Sequence, residues 1–254
     1  MIDTHAHIYS EEFDNDRAEV IQRAVDAGVK KIVLPAIDCS THSRMLELEN
    51  KYPEYCYATI GLHPTSINEN YERELEFVKN ELTIRPFLAI GEIGLDLYWD
   101  KTFINEQIIA FRQQIEMALY YQLPVIIHVR NSFTETMKVL QDYRDSGLKG
   151  IFHSFTGSIS EAEAILNFGG FLLGINGIIT FKNSGLCDVV KNIDLKHIVL
   201  ETDAPYLTPA PFRGKRNESA YLSYITDKLA STLSTSKGTI IESTSENALK
   251  LFKF

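Results

Sequence analysis

The chain predicts an α/β fold, a (β/α)8 TIM barrel whose active site lies at the C-terminal ends of the strands. Three observations predict it. Eight short apolar, β-branched runs recur along the whole sequence. Segments of helical period separate them, and such alternation makes a parallel sheet covered by helices. No glycine-rich phosphate turn follows an early strand, which disfavours a doubly wound open sheet. At 254 residues the chain has the size of one such barrel, so residues 1–254 are read as a single domain.

In chain order the predicted strands cover 1–5, 31–37, 56–61, 87–93, 124–129, 150–155, 170–175 and 197–202. Between the first two, residues 16–27 place Val20, Ile21, Ala24 and Val25 on one helical face and stop at Gly28, a good residue just past a helix end. Residues 106–121 do the same with Ile108, Ile109, Ile115, Ala118 and Leu119. Ser132, Ser160 and Ser243 are each followed three positions later by Glu, the capping-box pattern of a helix start. Past Leu200 a loop rich in Pro and Arg leads into two helical stretches that complete the ring.

Composition narrows the function classes. Hydrophobic content of 44% and charged content of 23% are those of a soluble globular protein. No apolar run approaches the ~18 residues of a membrane span. No basic leader or apolar signal region precedes the first strand, so a cytoplasmic location without membrane contact is expected. Cys39, Cys56 and Cys187 are odd in number and widely spaced, which excludes a disulfide framework or zinc knuckle. They are expected to be buried small apolar residues. A formal charge of −9 argues against a protein that coats or packages duplex DNA. It leaves room for an enzyme that takes nucleic acid into a local, metal-bearing cleft.

The side chains with metal-binding chemistry gather at one rim. His5 and His7 end the first strand, where positions i and i+2 share a face. His63 follows the third strand, Glu92 ends the fourth, His128 the fifth and His153 the sixth. Glu201 and Asp203 end the eighth, again as an i, i+2 pair. Five of the seven histidines thus fall at the end where barrel active sites form. A buried His or Glu after an apolar strand also costs desolvation energy unless a partner or metal compensates it. His197 begins the last strand at the opposite rim and His42 sits in a polar segment, so both are given structural or solvated roles. Four imidazoles with carboxylates suit Zn or Mn, while Mg prefers oxygen and water.

These motifs resemble those of the TatD family of metal-dependent deoxyribonucleases and related hydrolases, within the amidohydrolase-type barrel superfamily. The matching pieces are Asp3-Thr4-His5-Ala6-His7, Gly61-Leu62-His63-Pro64, Gly91-Glu92-Ile93-Gly94-Leu95-Asp96, the His128 and His153 segments, and Glu201-Thr202-Asp203-Ala204-Pro205-Tyr206-Leu207. Arg213-Gly214-Lys215-Arg216-Asn217-Glu218 and Asn247-Ala248-Leu249-Lys250-Leu251-Phe252 continue the match. The resemblance implies a hydrolase with two divalent ions, Mg, Mn or Zn. His5, His7 and Asp203 would hold one ion, His128 and His153 the other, and Glu92 would bridge them. It also makes Glu201 a candidate ligand of a third ion.

The reaction implied is phosphodiester hydrolysis by a metal-activated water, with single-stranded nucleic acid as substrate and no stable protein partner. Removal of nucleotides from the 3′ ends of single-stranded DNA is the leading reading. Hydrolysis of another ester or amide, such as the aminoacyl ester of a charged tRNA or a small lactone, is the alternative, and a non-catalytic binding module is the third. Asp203 is the candidate general base. His63 is a candidate donor to the leaving oxygen or to a substrate phosphate, against a loop-packing histidine. Arg130 follows His128 and is a candidate phosphate contact. Arg213, Lys215 and Arg216 are either an exposed basic loop or a phosphate grip on the rim. Tyr98 and Trp99 either stack on a base or pack their loop, and Asp96 orders that loop or supports a ligand. Asn131 and Phe212 depart from residues common in the family, acidic and His respectively, which bears on substrate preference.

Overall fold

The computed structural model describes residues 1–254. Each of the eight predicted runs carries a strand: β1 Ile2–Asp3, β2 Lys31–Leu34, β3 Cys56–Ala58, β4 Ile90–Asp96, β5 Val125–Arg130, β6 Gly150–Phe152, β7 Phe171–Ile175 and β8 Ile198–Leu200. The helices are α1 Arg17–Asp26, α2 Cys39–Lys51, α3 Tyr71–Ile84, α4 Ile104–Tyr121, α5 Phe133–Gln141, α6 Ile159–Phe168, α7 Leu186–Val190, α8 Leu222–Thr232 and α9 Lys237–Leu251. Every strand pairing is parallel, in two arcs ordered β1-β2-β3 and β4-β5-β6-β7-β8.

Single parallel bridges join the arcs at both seams, Ala6 with Ala204 and Ile60 with Ile90. At the first seam the backbone of β1 and its extension zigzags between two neighbours. The amides of Thr4 and His7 donate to Leu200 and Ala204 carbonyls at 3.0 and 2.7 Å, while Ala6 donates to Val33 at 3.0 Å. At the second seam Ile60 and Gly91 exchange bonds with Ala89 and Ile60 carbonyls at 3.1 and 2.9 Å. Six strands are shorter than their apolar runs, while β4 and β5 are as long as theirs but shifted toward the rim.

Inside the ring, Ile2, Val33, Ala89, Ile126, Ile151 and Val199 pack as one buried cluster, closed from below by Ala248, Leu251 and Phe252 of α9 and its end. The larger apolar core lies between strands and helices. The floor is therefore dry and filled, and polar groups gather at the other rim.

Four local expectations are corrected. The capping box of α6 is made by Ser158 with Glu161, not by Ser160. Ser132 precedes α5, but its hydroxyl donates to the Leu95 carbonyl at 2.6 Å instead of capping, and Ser243 lies inside α9, whose cap is Ser236. Of the cysteines only Cys56 is buried; Cys39 is exposed and its thiol faces Glu74 at 2.9 Å. No helix is long and apolar enough to cross a membrane.

Asp3 ties the first strand to the last. Its buried carboxylate accepts the Thr202 amide at 2.9 Å, the Thr202 hydroxyl at 2.7 Å and the Ser219 hydroxyl at 2.6 Å. Leaving three buried donors without an acceptor costs roughly 1–3 kcal/mol each. Asp3→Ala should therefore lower stability by at least about 3 kcal/mol, seen as a fall in the urea unfolding midpoint. An unchanged midpoint would remove Asp3 from the closure of the ring.

Candidate metal centre

Glu92 is placed by an irregularity in β4. Gly91 pairs with Ile126 and Ile93 with Ile127, so Glu92 is the extra residue of a bulge. A bulge bends the strand locally and re-aims a side chain, and here it turns a carboxylate into the ring. Gly94, two residues on, holds φ +137°, and a Cβ there would lie 2.1 Å from the His128 carbonyl oxygen. Only glycine lets β4 and β5 approach so closely at this point.

The two oxygens of Glu92 face different partners. Oε2 lies 3.0 Å from His5 Nε2 and 3.7 Å from His7 Nε2. Oε1 lies 2.8 Å from His128 Nδ1, 3.0 Å from His153 Nε2 and 3.2 Å from His63 Nε2. Asp203 Oδ1 sits 3.7 Å from both His5 and His7 Nε2, and those two nitrogens are 3.2 Å apart. The His5 and His153 rings stack at 3.7 Å. Burial opposes ionisation of Glu92, yet the surrounding imidazoles, His153 first, hold it well below the usual carboxylate range.

Each ring's outer nitrogen decides what its inner nitrogen can do. The Tyr9 hydroxyl donates to the Pro35 carbonyl at 2.6 Å, so it accepts from His7 Nδ1–H at 3.0 Å. Burial lowers the pKa of His7 to about 4, so the ring is neutral and Nε2 turns a lone pair inward. Burial likewise holds His5 well below its ordinary value. His128 Nε2 is held at 3.0 Å by Asp96 Oδ2. His153 Nδ1 meets Glu201 Oε1 at 3.4 Å, a charge contact outside hydrogen-bond alignment. Both rings therefore have a carboxylate behind them for one proton, leaving the inner nitrogen for a cation. With no cation, Glu92 and then Glu201 outweigh burial and hold the pKa of His153 well above its ordinary value, while Asp96 and Glu92 raise that of His128.

His63 is the exception. Its Nδ1 accepts the Thr65 amide at 3.1 Å, and a neutral imidazole has one acceptor and one donor. The proton is thus on Nε2, pointing toward Glu92. His63 enters the centre as a donor where the other rings can enter as acceptors.

The donor set fits divalent cations. Two ligand atoms ~2.1 Å from one tetrahedral ion lie about 3.4 Å apart. The separations around His5, His7, Glu92 and Asp203 run from 3.0 to 3.7 Å. Three groups of potential ligands share these residues: His5, Glu92 and His153; His5, His7 and Asp203; His63, Glu92 and His128. Converging lone pairs and carboxylate oxygens repel unless positive charge lies between them.

Glu201 stands apart from these three groups. It is fully buried behind His153, where Oε1 accepts the Ser154 amide at 2.6 Å. Its Oε2 presses on Gly174, where a Cβ would lie 2.3 Å away. Asp203 faces the cleft instead, because its backbone takes φ +58°, its amide donates to His5 at 2.9 Å, and the chain turns there. Burial, with Glu92 and Glu201 nearby, lifts the Asp203 carboxyl to about 8 in the absence of a cation.

Of the residues read as substrate contacts, Arg130 lines the cleft of about 660 Å³ with His7, His63, Glu92 and Asp203. Tyr98 lies beneath Arg130, whose guanidinium is 4.1 Å from its ring. Arg213 stacks over Phe181 at 3.8 Å and Lys215 is exposed, neither on the cleft wall. Arg216 is corrected: its fork grips Asp16 at 2.8 and 2.6 Å and the Glu12 carbonyl at 2.6 Å, so it braces the rim against α1's start. Sequence reasoning missed Tyr9, although it continues the same-face alternation of His5 and His7, and Tyr206, which lines the cleft. His42 is buried against Glu81 at 3.2 Å, a structural role.

Comparisons with known proteins identify the family. The model of the TatD related DNase family matches residues 2–253. A Bacillus subtilis (strain 168) protein named uncharacterized metal-dependent hydrolase YabD is 38% identical over 254 residues, covering 100% of this chain and 99% of that one. A Rahnella protein named 3′-5′ ssDNA/RNA exonuclease TatD is 30% identical over 259 residues, covering 99% of this chain and 98% of that one. The crystal structure of YjjV, a TatD homologue from Escherichia coli K12, superposes with a TM-score of 0.93 at 32% identity, covering 100% of this chain and 98% of that one. The chain belongs to the TatD related DNase family.

Proposed function

We propose that this chain is a metal-dependent exonuclease that removes nucleotides from the 3′ ends of single-stranded DNA, with residues 1–254 acting as one hydrolase domain. The observation that carries the reading is the division of Glu92, one oxygen toward His5 and His7 and the other toward His128 and His153. A carboxylate so divided suits two cations. His5, His7 and Asp203 would hold one, His128 and His153 the other, and Glu92 would span them. The substrate class is supported by the family and by the name of the Rahnella relative.

Bound there, divalent cations lower the pKa of a water and polarise a phosphodiester. The chain's own residues supply the rest. Asp203 is the carboxylate on the cleft side of the His5–His7 pair; its Oδ1 faces those imidazoles, and its Oδ2 would take the proton of the attacking water. His63 would donate its Nε2 proton to the substrate phosphate or to the leaving 3′-oxygen, a role its Thr65 bond enforces. Arg130, on the wall of the cleft, would orient a phosphate. Tyr9, Asp96 and Glu201 would keep the rings of His7, His128 and His153 in one orientation and one tautomer.

Three outcomes are expected. Manganese-loaded protein should shorten single-stranded DNA from its 3′ end, and a chelator or Asp203→Ala should abolish this. Turnover of charged tRNA or aryl esters with DNA left intact would overturn the proposal. His63→Ala should keep its metal stoichiometry while kcat falls about 10²–10⁴-fold; loss of an ion on titration would make His63 a ligand. Glu201→Gln should weaken metal affinity about 10–100-fold at unchanged stoichiometry, as measured by calorimetry.

A further inference from the structure

The loop after β4 turns two aromatic rings outward beside the cleft. Trp99 is 69% exposed and Tyr98 52% exposed, although a buried aromatic ring is among the larger gains open to a fold. The loop is nonetheless held firmly. Asp96 Oδ1 accepts the amides of Tyr98 and Trp99 at 3.0 and 3.4 Å, while its Oδ2 faces His128 at 3.0 Å. One carboxylate therefore fixes the loop and orients a ring of the centre. The Arg130 guanidinium lies 4.1 Å from the Tyr98 ring and 5.0 Å from the Trp99 ring, supporting both.

Tyr206 stands at the same cleft, 54% exposed, its amide donating to the Asp203 carbonyl at 2.8 Å. Trp99 and Tyr206 both line the space of about 660 Å³ that holds Glu92 and Asp203, a volume within the ~300–1,000 Å³ usual for small-ligand sites. Each ring is thus anchored within three residues of a carboxylate of the site, Asp96 or Asp203. Packing alone would bury these rings against the loop; here they are held out, beside the place where a phosphodiester would react.

We propose that Trp99 and Tyr206 are specificity-determining residues of a base-stacking subsite, which holds the unpaired terminal base of a single strand while Arg130 meets an adjacent phosphate. The inference rests on the exonuclease reading above and deepens it. Every base offers a π-face, so such a subsite tolerates any sequence. A base inside a duplex has its faces covered by its neighbours and its edge paired, so only a frayed or single-stranded end enters.

Trp99 is the single tryptophan of the chain, so fluorescence excited at the red edge, where the tyrosines do not absorb, reports this wall alone. The test titrates manganese-loaded protein with a short phosphorothioate DNA strand ending in a 3′ adenine. A matched strand ends in an abasic tetrahydrofuran unit, and fluorescence anisotropy of labelled strands follows binding independently. The base-ended strand should quench Trp99 and bind roughly 5- to 150-fold more tightly than the abasic one, the span of one base–aromatic stack. With hydrolysable strands, Trp99→Ala should raise KM more for the base-ended strand than for the abasic one, and Trp99→Phe should restore most of the difference. Equal affinities, binding without quenching, or an equal KM penalty for both strands would overturn the subsite while DNA hydrolysis left the exonuclease reading standing. A protein that neither binds nor cleaves either strand would end both.

Discussion

Everything at the rim answers to one buried charge. Glu92 is 2% exposed and surrounded by imidazoles on both oxygens. An isolated ion of that kind costs several kcal/mol to bury, so its neighbours must be cationic or cation-binding. The bulge in β4 creates the problem by aiming Glu92 inward, and the ends of β1, β5 and β6 supply the answer. The barrel form makes this possible, because its strand ends converge while the loops beyond them vary. The dry floor under α9 matters too, since it confines the polar groups to one face.

Around that charge the outer nitrogens of His7, His128 and His63 are each met by a hydrogen-bond partner, and that of His153 by a carboxylate charge. Tyr9, Asp96 and Glu201 each sit behind a different histidine, and Thr65 sits behind a fourth with opposite polarity. Rings alike in composition thereby divide into groups that can accept a cation and one that donates a proton. A residue count alone would make His63 one more ligand; its backbone partner separates it.

Strand ends were the legible part of the site. Period-two alternation put His5 and His7 on one face, and runs of apolar residues located Glu92, His128 and His153. Alternation does not carry through the end of the eighth strand. Glu201 and Asp203 are two apart, yet the left-handed backbone at Asp203 breaks the pleat, so one carboxylate supports His153 from behind and the other faces the cleft. Arg216 was illegible for another reason, since its partner Asp16 lies 200 positions away and no local pattern announces the pair. Capping was ambiguous at α6, where Ser158 and Ser160 each precede a Glu by three residues and only the backbone geometry chooses Ser158.

The bonds of Asp3 reach across 199 and 216 positions of sequence, and this bears on how the protein is made. During synthesis the N-terminal part of the chain emerges first. His5 and His7 leave the ribosome well before Asp203, which shares their group, and before Thr202 and Ser219, which hold Asp3. While the intervening residues are made, a nascent chain carries an imidazole pair without its carboxylate. A cation that met that pair early would meet nitrogen donors alone. The mixed nitrogen and oxygen environment arises only when the last strand docks, so the full donor set belongs to the finished ring and not to the growing one.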